Sequence, residues 1–281
     1  SVIRDFLNPD MVLIGASDER SAALLTELYV TTCDNRPAIR TMSLINAEIT
    51  KLSLNCFLTL KISFANELAS ICEKMKGSDI DVVTAAIGAD SRIGGKYLKA
   101  GLGFGGPCFP RDNLAFQNFA NNVGRPYRIG PAVMEINDDV VQRLLETVKT
   151  TARPSSRIAI LGLAYKQGTP VVEQSQPIFL ANALLDRGYC VAVHDPQALP
   201  SARNILDSRI DCCSDPYDCV KSARVILLMI PWPDYVSMDF ERVRDLAAPD
   251  AVLIDCWRAL DTSRTGGIRI IPFGYPPAGE I

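Results

Sequence analysis

Arg157-Ile-Ala-Ile-Leu-Gly-Leu-Ala-Tyr-Lys166 opens with branched apolar residues and ends in a glycine turn. A short apolar run bounded by a turn signal is typical of a strand buried on both faces. Pro177–Arg187 then has a helical pattern that Gly188 ends, and the apolar strand Cys190–His194 follows. A strand, a helix and a strand in this order predict a parallel sheet with helices on its faces.

Two more apolar runs, Ala223–Ile230 and Ala251–Asp255, extend this pattern to four predicted strands. In a doubly wound parallel sheet, ligands bind beyond the carboxyl ends of the strands. The glycine turn after the first strand lacks a full dinucleotide fingerprint, so we expect a nucleotide other than NAD there. The residues predicted at this edge are Tyr165, Lys166, Asp195, Pro231, Trp232, Trp257 and Arg258.

The middle of the chain has a helical pattern instead. Ala47–Met75 contains neither proline nor glycine and is apolar on more than one side, which is typical of a helix at the centre of its domain. Gly77–Asp79 ends this helix and caps the next, Ile80–Ile87, and a further helix runs from Pro131 to about Val148. The fold class predicted is α/β, with an all-helical central region followed by a Rossmann-like sheet domain.

The N-terminal segment contains one strand, residues 11–14, and one helix, Ser21–Val30, and its sequence shows no partner strand. A lone strand leaves backbone groups unpaired, so we interpret this segment as the end of a domain that begins upstream. The predicted domains are residues 1–40, a remnant of an N-terminal domain, 41–150, the helical domain, and 156–281, the sheet domain. Thr150–Ser156 has the composition of a linker.

A glycine-rich loop carries the chemistry: Gly101-Leu-Gly-Phe-Gly-Gly-Pro-Cys-Phe-Pro-Arg-Asp112. Its glycines match G-x-G-x-x-G, but no strand precedes them, so a dinucleotide site is not expected here. We predict that Asp112 caps the next helix, which places Cys108 just before a helix N-terminus and beside Arg111. Both neighbours favour a reactive thiolate over the alternative of a buried, inert cysteine.

Composition excludes several classes. The 281 residues are 48% apolar with a net charge of −3, so they carry no basic footprint for nucleic acid. We expect neither a membrane span nor a signal peptide, because the apolar runs are short and the chain opens Ser1-Val-Ile-Arg-Asp5. Nine cysteines without a C-x-x-C pair argue against a disulfide framework or a zinc site and favour a reducing cytoplasm. A single histidine, His194, makes histidine-based catalysis unattractive.

Four segments together resemble the UDP-glucose dehydrogenase group of nucleotide-sugar dehydrogenases. They are Gly103–Asp112, which is similar to the family's cysteine motif, Asn46–Asn55, similar to its central-helix motif, Arg92–Lys99, similar to its substrate loop, and Gly162–Lys166, similar to the start of its nucleotide-binding domain. The resemblance implies an NAD-binding Rossmann domain upstream, with the family's fingerprint and catalytic glutamate. It also implies that these 281 residues alone would not turn over.

The resemblance further implies a four-electron oxidation of a sugar C6 alcohol to the uronic acid, with two NAD as cofactor. Cys108 would form a thiohemiacetal and then a thioester with the substrate. Lys51 and Asn55 share a helix face at i, i+4 and would donate to an oxyanion, although most such pairs are a solvated lysine and a satisfied amide. Asp112 would orient or deprotonate water.

The same resemblance assigns binding residues and partners. Arg111 would contact NAD, a UDP-hexose would be the substrate, and the long central helix would form a homodimer. The implied substrate-binding residues are Arg92, Tyr97, Leu98, Lys99, Gly101, Phe104, Gly105, Tyr165, Lys166 and Arg258, of which Arg92 would reach a neighbouring subunit and Lys166 and Arg258 would face the diphosphate.

Two positions depart from the family pattern. Glu173 stands where relatives have an arginine that helps to hold NAD, and Asp255-Cys-Trp-Arg258 replaces an Asp-Gly-Arg motif.

Three hypotheses remain open: a UDP-glucose 6-dehydrogenase, which we favour; a GDP-mannose or UDP-N-acetylhexosamine dehydrogenase; and a non-catalytic, dimerising nucleotide-binding module.

Overall fold

A computed structural model of the protein describes residues 2–276. The chain forms two compact units. The first extends to Phe57 and includes Asp112–Tyr127, and the second comprises Leu58–Arg111 and the chain from Arg128 onward. This division passes through two helices, and the three predicted domains stay a prediction. Among the described helices, none is long and apolar enough to cross a membrane.

The first unit opens with α1 (Val2–Leu7), β1 (Met11–Gly15), α2 (Glu19–Thr32) and β2 (Ala38–Met42). The strand and helix predicted here are confirmed, but the prediction that the strand lacks a partner is wrong. β1 pairs in parallel with β2, from Met11 opposite Ala38 to Gly15 opposite Met42. The second strand was missed because it is largely exposed and carries Arg40 and Thr41, so no apolar run marks it.

The predicted helical region is confirmed. It contains α3 (Leu44–Cys72), α4 (Ile80–Ala89), α5 (Phe109–Asn122) and α6 (Ile129–Thr151). Asp79 caps α4 as expected, because its carboxylate accepts from the backbone N–H groups of Asp81 and Val82.

The predicted cap of α5 is wrong. α5 begins at Phe109, and Asp112 lies inside its first turn. Pro110 explains the earlier start, since proline is tolerated in the first helical turn, where backbone N–H groups lack intrahelical partners. Cys108 is therefore the residue directly before the helix.

The rest of the second unit is a parallel sheet of six strands in the order β5-β4-β3-β6-β7-β8. The four predicted strands are confirmed, and both edge strands were missed because one has only two residues and the other is only half-buried. The elements are β3 (Arg157–Leu161), α7 (Gln176–Asp186), β4 (Cys190–His194), α8 (Leu199–Ala202), β5 (Asp211–Cys212), α9 (Pro216–Val220), β6 (Val225–Leu228), α10 (Pro233–Val236), α11 (Phe240–Leu246), β7 (Val252–Asp255), the 3-10 turn Thr262–Arg264 and β8 (Arg269–Pro272).

The main core lies around β3 and β6, whose inner residues are almost completely buried. The apolar side of α6 belongs to the same core through Val140, Leu144 and Val148. Since chain order reverses between β3 and β6, the strand order is that of a dinucleotide-type fold, with its topological switch point between these two strands.

His194 ends β4 in a buried, hydrogen-bonded position. The Tyr235 hydroxyl donates to the His194 backbone oxygen at 2.9 Å, so its oxygen accepts from His194 Nδ1 at 2.7 Å. Burial lowers the pKa of His194, because the imidazolium would lose hydration.

This arrangement predicts a pH-dependent loss of stability. Below a pH of about 6.5, His194 binds a proton in the unfolded chain but resists protonation in the folded chain. The free energy of unfolding therefore decreases as the pH is lowered. In His194→Asn, whose amide can still donate to Tyr235, the fall in apparent Tm between pH 7.5 and pH 5 should be shallower than in the wild type. Thermal unfolding followed by circular dichroism measures both, and parallel pH profiles would contradict the assignment.

Candidate functional site

Lys51, Asn55 and Asp112 form a polar cluster in the first unit. Both Lys51 Nζ and Asn55 Nδ2 donate to Oδ2 of Asp112, at 3.3 Å and 2.6 Å, although Asp112 is 61 and 57 residues away in sequence. The expectation that Lys51 and Asn55 share one face of α3 is confirmed. Folding therefore brings together an ammonium, an amide and a carboxylate.

The surroundings of this cluster keep Asp112 away from water. Asp112 is buried, whereas the Lys51 side chain is 59% exposed. Burial, together with the negative charge of Asp112, raises the pKa of the neighbouring Cys56 thiol to about 11. Cys56 is consequently a neutral thiol, and the cluster presents its positive group outward.

Cys108 is exposed, as predicted, so the expectation of a buried cysteine in the alternative is wrong, and its reactivity stays a prediction. It lies between the glycine loop and the first residue of α5. Phe109, which follows it, packs edge-on against Phe104 at 6.2 Å and Tyr97 at 6.4 Å between ring centroids. The sulfur thus has solvent access next to an aromatic cluster that fixes the backbone.

The glycine loop is held by buried side-chain amides instead of a strand or helix. Asn137 on α6 accepts from the Phe104 N–H at 2.7 Å and donates to the Phe104 carbonyl at 3.1 Å. Gln176 at the start of α7 accepts from the Gly103 N–H at 2.6 Å and donates to the Asn137 carbonyl at 2.7 Å. One loop is therefore bonded to two helices.

A third amide holds the start of the loop. Asn66 on α3 is almost fully buried, and its Oδ1 accepts from the Gly101 N–H at 2.9 Å. Sequence reasoning missed Asn66, Asn137 and Gln176. Asn137 did leave a signal, because it is a polar residue in the buried stripe of α6 that also contains Val133 and Val140.

Two glycines in this loop are dictated by close packing. A Cβ on Gly103 would overlap the side-chain amides of Asn137 and Gln176. Gly106 has φ of +80°, and a Cβ there would lie 2.6 Å from the Tyr165 ring. Glycine at these positions allows the loop to lie against its supports.

The carboxyl ends of three strands are joined by one buried carboxylate. Asp195, directly after β4, accepts from the backbone N–H groups of Leu163 at 2.7 Å and Ala164 at 3.1 Å. It also accepts from Trp232 Nε1 at 3.2 Å, beyond β6. With two further bonds from Gln197 and Ala198, its role in this structure is to shape the edge of the sheet.

Tyr165 and Lys166 follow β3 at that edge, where they were predicted. Tyr165 is half-buried, and Lys166 is exposed with its Nζ 5.5 Å from the Tyr165 ring centroid. The pair thus presents an aromatic face and a positive charge at the switch point, which are groups that suit a nucleotide.

Arg258 is engaged within the protein. Its guanidinium donates to both carboxylate oxygens of Asp81, at 2.7 Å and 2.9 Å, and to the carbonyls of Ala100 and Phe273, both at 2.8 Å. Its side chain is 6% exposed. These bonds join α4, the residue before the glycine loop and the residue after β8, and the predicted phosphate contact stays a prediction.

Trp257, which departs from the family pattern, packs against Gly101, where a Cβ would lie 2.6 Å from the indole ring. Its Nε1 donates to the Met229 carbonyl at 2.7 Å. The indole is thus fixed between β6 and the start of the glycine loop.

The remaining predicted binding residues lie in different surroundings. Arg92 is exposed and pairs with Asp90 at 2.6 Å, Lys99 is exposed, and Leu98 is buried in an apolar cluster. Arg111, the predicted NAD contact, is exposed on α5. Within residues 2–276 there is no group of three metal-ligating side chains that could hold a metal ion.

Two family models match the chain. Residues 45–139 match the central domain of the UDP-glucose/GDP-mannose dehydrogenase family, and residues 159–262 match its UDP binding domain. The chain belongs to the UDP-glucose/GDP-mannose dehydrogenase family.

Relatives agree with this family assignment. The chain is 34% identical over 249 residues to a UDP-glucose 6-dehydrogenase of Rhizobium meliloti. This match covers 87% of the chain and 56% of the relative. The chain is 35% identical over 257 residues to UDP-glucose 6-dehydrogenase TuaD of Bacillus subtilis, covering 90% of this chain and 54% of the relative. The chain therefore spans little more than half the length of these relatives.

A solved structure of a UDP-glucose dehydrogenase from the archaeon Pyrobaculum islandicum is similar in fold, with a TM-score of 0.86 and 33% identity. The similarity covers 98% of this chain and 61% of that one. This chain has a helical region and a parallel-sheet region, and its structural neighbours are nucleotide-sugar dehydrogenases.

The close packing around Gly103 predicts that Gly103→Ala destabilises this family member by about 1–3 kcal/mol, since the added methyl must displace two buried amides. Gly95→Ala is the matched control, because its Cβ would meet only the Gly88 carbonyl, at 3.9 Å. Urea unfolding should separate the two variants. Equal stability would show that the loop yields easily and that the amides do not fix it.

Proposed function

We propose that the protein oxidises the C6 alcohol of UDP-glucose to the uronic acid, with NAD as hydride acceptor and a covalent intermediate on Cys108. The observation that carries the proposal is that Lys51 and Asn55 both donate hydrogen bonds to the same carboxylate oxygen of Asp112. The resemblance to the family assigns these three residues to one reaction. Relatives named UDP-glucose 6-dehydrogenase support the substrate.

Cys108 is the nucleophile in this proposal. Its sulfur adds to the C6 aldehyde, so a C–S bond forms, the carbonyl π bond breaks and its electron pair becomes an oxyanion. Conversion of this adduct to a thioester would require a hydride acceptor, which is the chemistry that NAD would supply. Covalent attachment divides a difficult oxidation into easier steps and retains the aldehyde. The exposed position of Cys108 at the end of a firmly held loop supports this role.

Lys51 and Asn55 stabilise negative charge on oxygen. Each carries a donor that now binds Asp112, and both donors project from one face of α3. Fixed donors of this kind stabilise an oxyanion because they need no reorganisation when charge develops. Their bonds to Asp112 hold them in place before substrate arrives.

Asp112 acts on water in the proposed hydrolysis. Thioester hydrolysis needs a base close to the attacking water, and an ionised carboxylate is suited to that task. The salt bridge to Lys51 and the hydrogen bond from Asn55 hold the Asp112 carboxylate in position. Water adds to the thioester carbon, the C–S bond breaks, and the Cys108 thiolate and the uronic acid are released.

NAD would supply one chemistry, the removal of hydride. The described residues do not fit a complete site for it: the turns after β1 and β3 lack the G-x-G-x-x-G fingerprint, and Glu173 is an exposed acid where a pyrophosphate would favour a base. Arg111 is the residue proposed to contact it.

UDP recognition is assigned to the carboxyl edge of the sheet. Tyr165 and Lys166 present an aromatic ring and an accessible cation there, and the switch point of such a sheet is where nucleotides bind. The exposed Lys99 and the ring of Tyr97 are proposed to contact the sugar nucleotide from the substrate loop.

A second copy of the chain is the proposed partner of α3. Phe57, Phe64 and Ile71 lie at seven-residue spacing on this 29-residue helix and are 60%, 46% and 48% exposed. Seven-residue spacing places side chains on one face of a helix, and an apolar stripe of this length favours burial against another helix. A homodimer through α3 would bury all three.

The covalent route predicts that Cys108→Ser lowers uronic acid formation from UDP-glucose by about a thousandfold or more in the full-length gene product. UDP binding, measured by calorimetry, should be unchanged, because serine leaves the loop intact. Near-normal acid formation by the variant would exclude the thioester route. A panel with GDP-mannose and UDP-N-acetylhexosamines tests the substrate in the same assay.

Cys190→Ser is the matched control, since Cys190 is the other exposed cysteine among the described residues. It should retain full activity. Iodoacetamide at neutral pH should label Cys108 faster than Cys190, and equal rates would mean that exposure alone governs reactivity.

The proposed dimer predicts that Phe64→Glu weakens self-association by about tenfold or more, because a charge would enter an apolar interface. Sedimentation velocity at micromolar concentration should show a dimer for the wild type and a monomer for the variant. Ile205→Glu, which changes an exposed apolar residue of the sheet region, should remain dimeric. A monomeric wild type would refute the interface.

A further inference from the structure

Tyr97 has a backbone conformation that a tyrosine rarely adopts. Its φ is +63°, in the left-handed region, and it is the third residue of a turn that the Leu98 N–H closes on the Gly95 carbonyl at 3.2 Å. A positive φ at this position of a turn favours glycine or asparagine, because a Cβ comes close to the following carbonyl oxygen. A bulky aromatic residue there stores backbone strain, and such strain collects at functional sites.

The segments on both sides of Tyr97 are held in place. Lys61 on α3 donates from Nζ to the Ile93 carbonyl at 3.1 Å and to the Gly94 carbonyl at 2.8 Å. On the other side, Leu98 is 5% exposed and belongs to an apolar cluster that α3 and α4 line. A strained residue persists only where its surroundings fix it, and these contacts meet that condition.

The ring of Tyr97 contacts Phe109, the residue directly after Cys108. The two ring centroids lie 6.4 Å apart with an interplanar angle of 70°, and Phe109 also packs against Phe104 at 6.2 Å and 84°. Edge-to-face pairs at this spacing are attractive. Phe104 is buried and its backbone is bonded to Asn137, so Phe109 contacts one ring that is firmly held and one that belongs to the strained turn.

We propose that Tyr97 is a positioning residue for Cys108: the strained turn holds its ring against Phe109, and this contact fixes the backbone that carries the sulfur. The inference rests on the proposed role of Cys108 as nucleophile. Attack on a carbonyl carbon depends on close placement of the sulfur, and a displacement of about 1 Å can cost about a hundredfold in rate. Residues 92–99, proposed to contact the sugar nucleotide, are thereby coupled to the nucleophile.

The alternative is that Tyr97 only contacts the sugar nucleotide. Removal of its ring would then have no effect on the backbone around Cys108 when no ligand is present. Tyr97 is 48% exposed, so its replacement should leave the folded core intact. Two substitutions separate the ring from its hydroxyl: Tyr97→Phe keeps the ring, and Tyr97→Ala removes it.

Hydrogen exchange followed by mass spectrometry tests the contact in the folded chain, without substrate or cofactor. In Tyr97→Ala, peptides that contain Cys108 and Phe109 but not residue 97 should exchange about threefold faster or more, because the contact that holds this backbone is lost. Tyr97→Phe should exchange like the wild type. Unchanged exchange in Tyr97→Ala would overturn the proposal.

The strain itself predicts an unusual order of stability. Tyr97→Gly should unfold at a higher urea concentration than Tyr97→Ala, because glycine adopts a φ of +63° without strain. At a position with negative φ, alanine is the more stabilising of the two, since glycine leaves the unfolded chain more freedom. That ordinary order at position 97 would show that the turn is relaxed, and it would contradict the proposal.

The effect on the reaction is tested in the full-length gene product. Phe109→Leu should lower kcat for uronic acid formation about tenfold and change the KM for UDP-glucose by less than about twofold, because the sulfur moves while the proposed binding residues remain. Phe116→Leu is the matched control, since this half-buried ring on the same helix pairs with Phe119 and Tyr127, and it should leave both values unchanged. A raised KM with an unchanged kcat in Phe109→Leu would overturn the positioning role, whereas a failure of the covalent route would appear separately, as acid formation by Cys108→Ser.

Discussion

The hydrogen bonds between the side-chain amide of Asn137 and the backbone of Phe104 are the constraint on which the glycine loop depends. A segment without a strand or helix partner must find other partners for its backbone groups, because a buried amide left unsatisfied costs about 1–3 kcal/mol. Asn137 supplies both an acceptor and a donor to the same residue, and Gln176 extends this support to Gly103. The position of Cys108 follows, since it ends the segment that these bonds hold.

Two buried polar side chains in the second unit, Asp195 and Arg258, use their hydrogen-bonding groups within the protein. Asp195 accepts five hydrogen bonds at the carboxyl edge of the sheet, and Arg258 donates four that join α4 to the end of β8. A buried charge is tolerable only when it is paired or fully hydrogen-bonded, so these groups are occupied by the protein itself. Lys166 and Lys99, by contrast, are exposed.

Sequence patterns predicted the elements whose stability comes from burial and missed those that depend on pairing alone. The strands β3, β4, β6 and β7 are apolar because they lie inside the sheet, whereas β2 with Arg40 and β5 with its two residues carry no such pattern. Local rules also failed where two signals competed: Asp112 suits a helix cap, but Pro110 allows α5 to start four residues earlier than that cap would give.

The candidate site shows the same division. The helical period was enough to place Lys51 and Asn55 on one face, because i, i+4 spacing is a local property. Their hydrogen bonds to Asp112 join residues that are far apart in sequence. Among the features of the sequence, only the resemblance to a family connects these three residues. The role of Asn137 was visible as a polar residue in an apolar stripe, but its partner, the backbone of Phe104, follows from no local rule.

Cysteine environments give a physical basis for assigning different roles to residues of one type. Cys56 lies next to the Asp112 carboxylate, and burial with that charge favours its neutral thiol. Cys108 is exposed at the end of a constrained loop, a position suited to attack on a substrate carbon. The Cys213 sulfur lies 4.0 Å from Nη2 of Arg157. Because thiol chemistry depends on which charge and which partner lie within a few ångströms, a count of nine cysteines predicts little, whereas their individual surroundings distinguish a neutral, buried thiol from an exposed one.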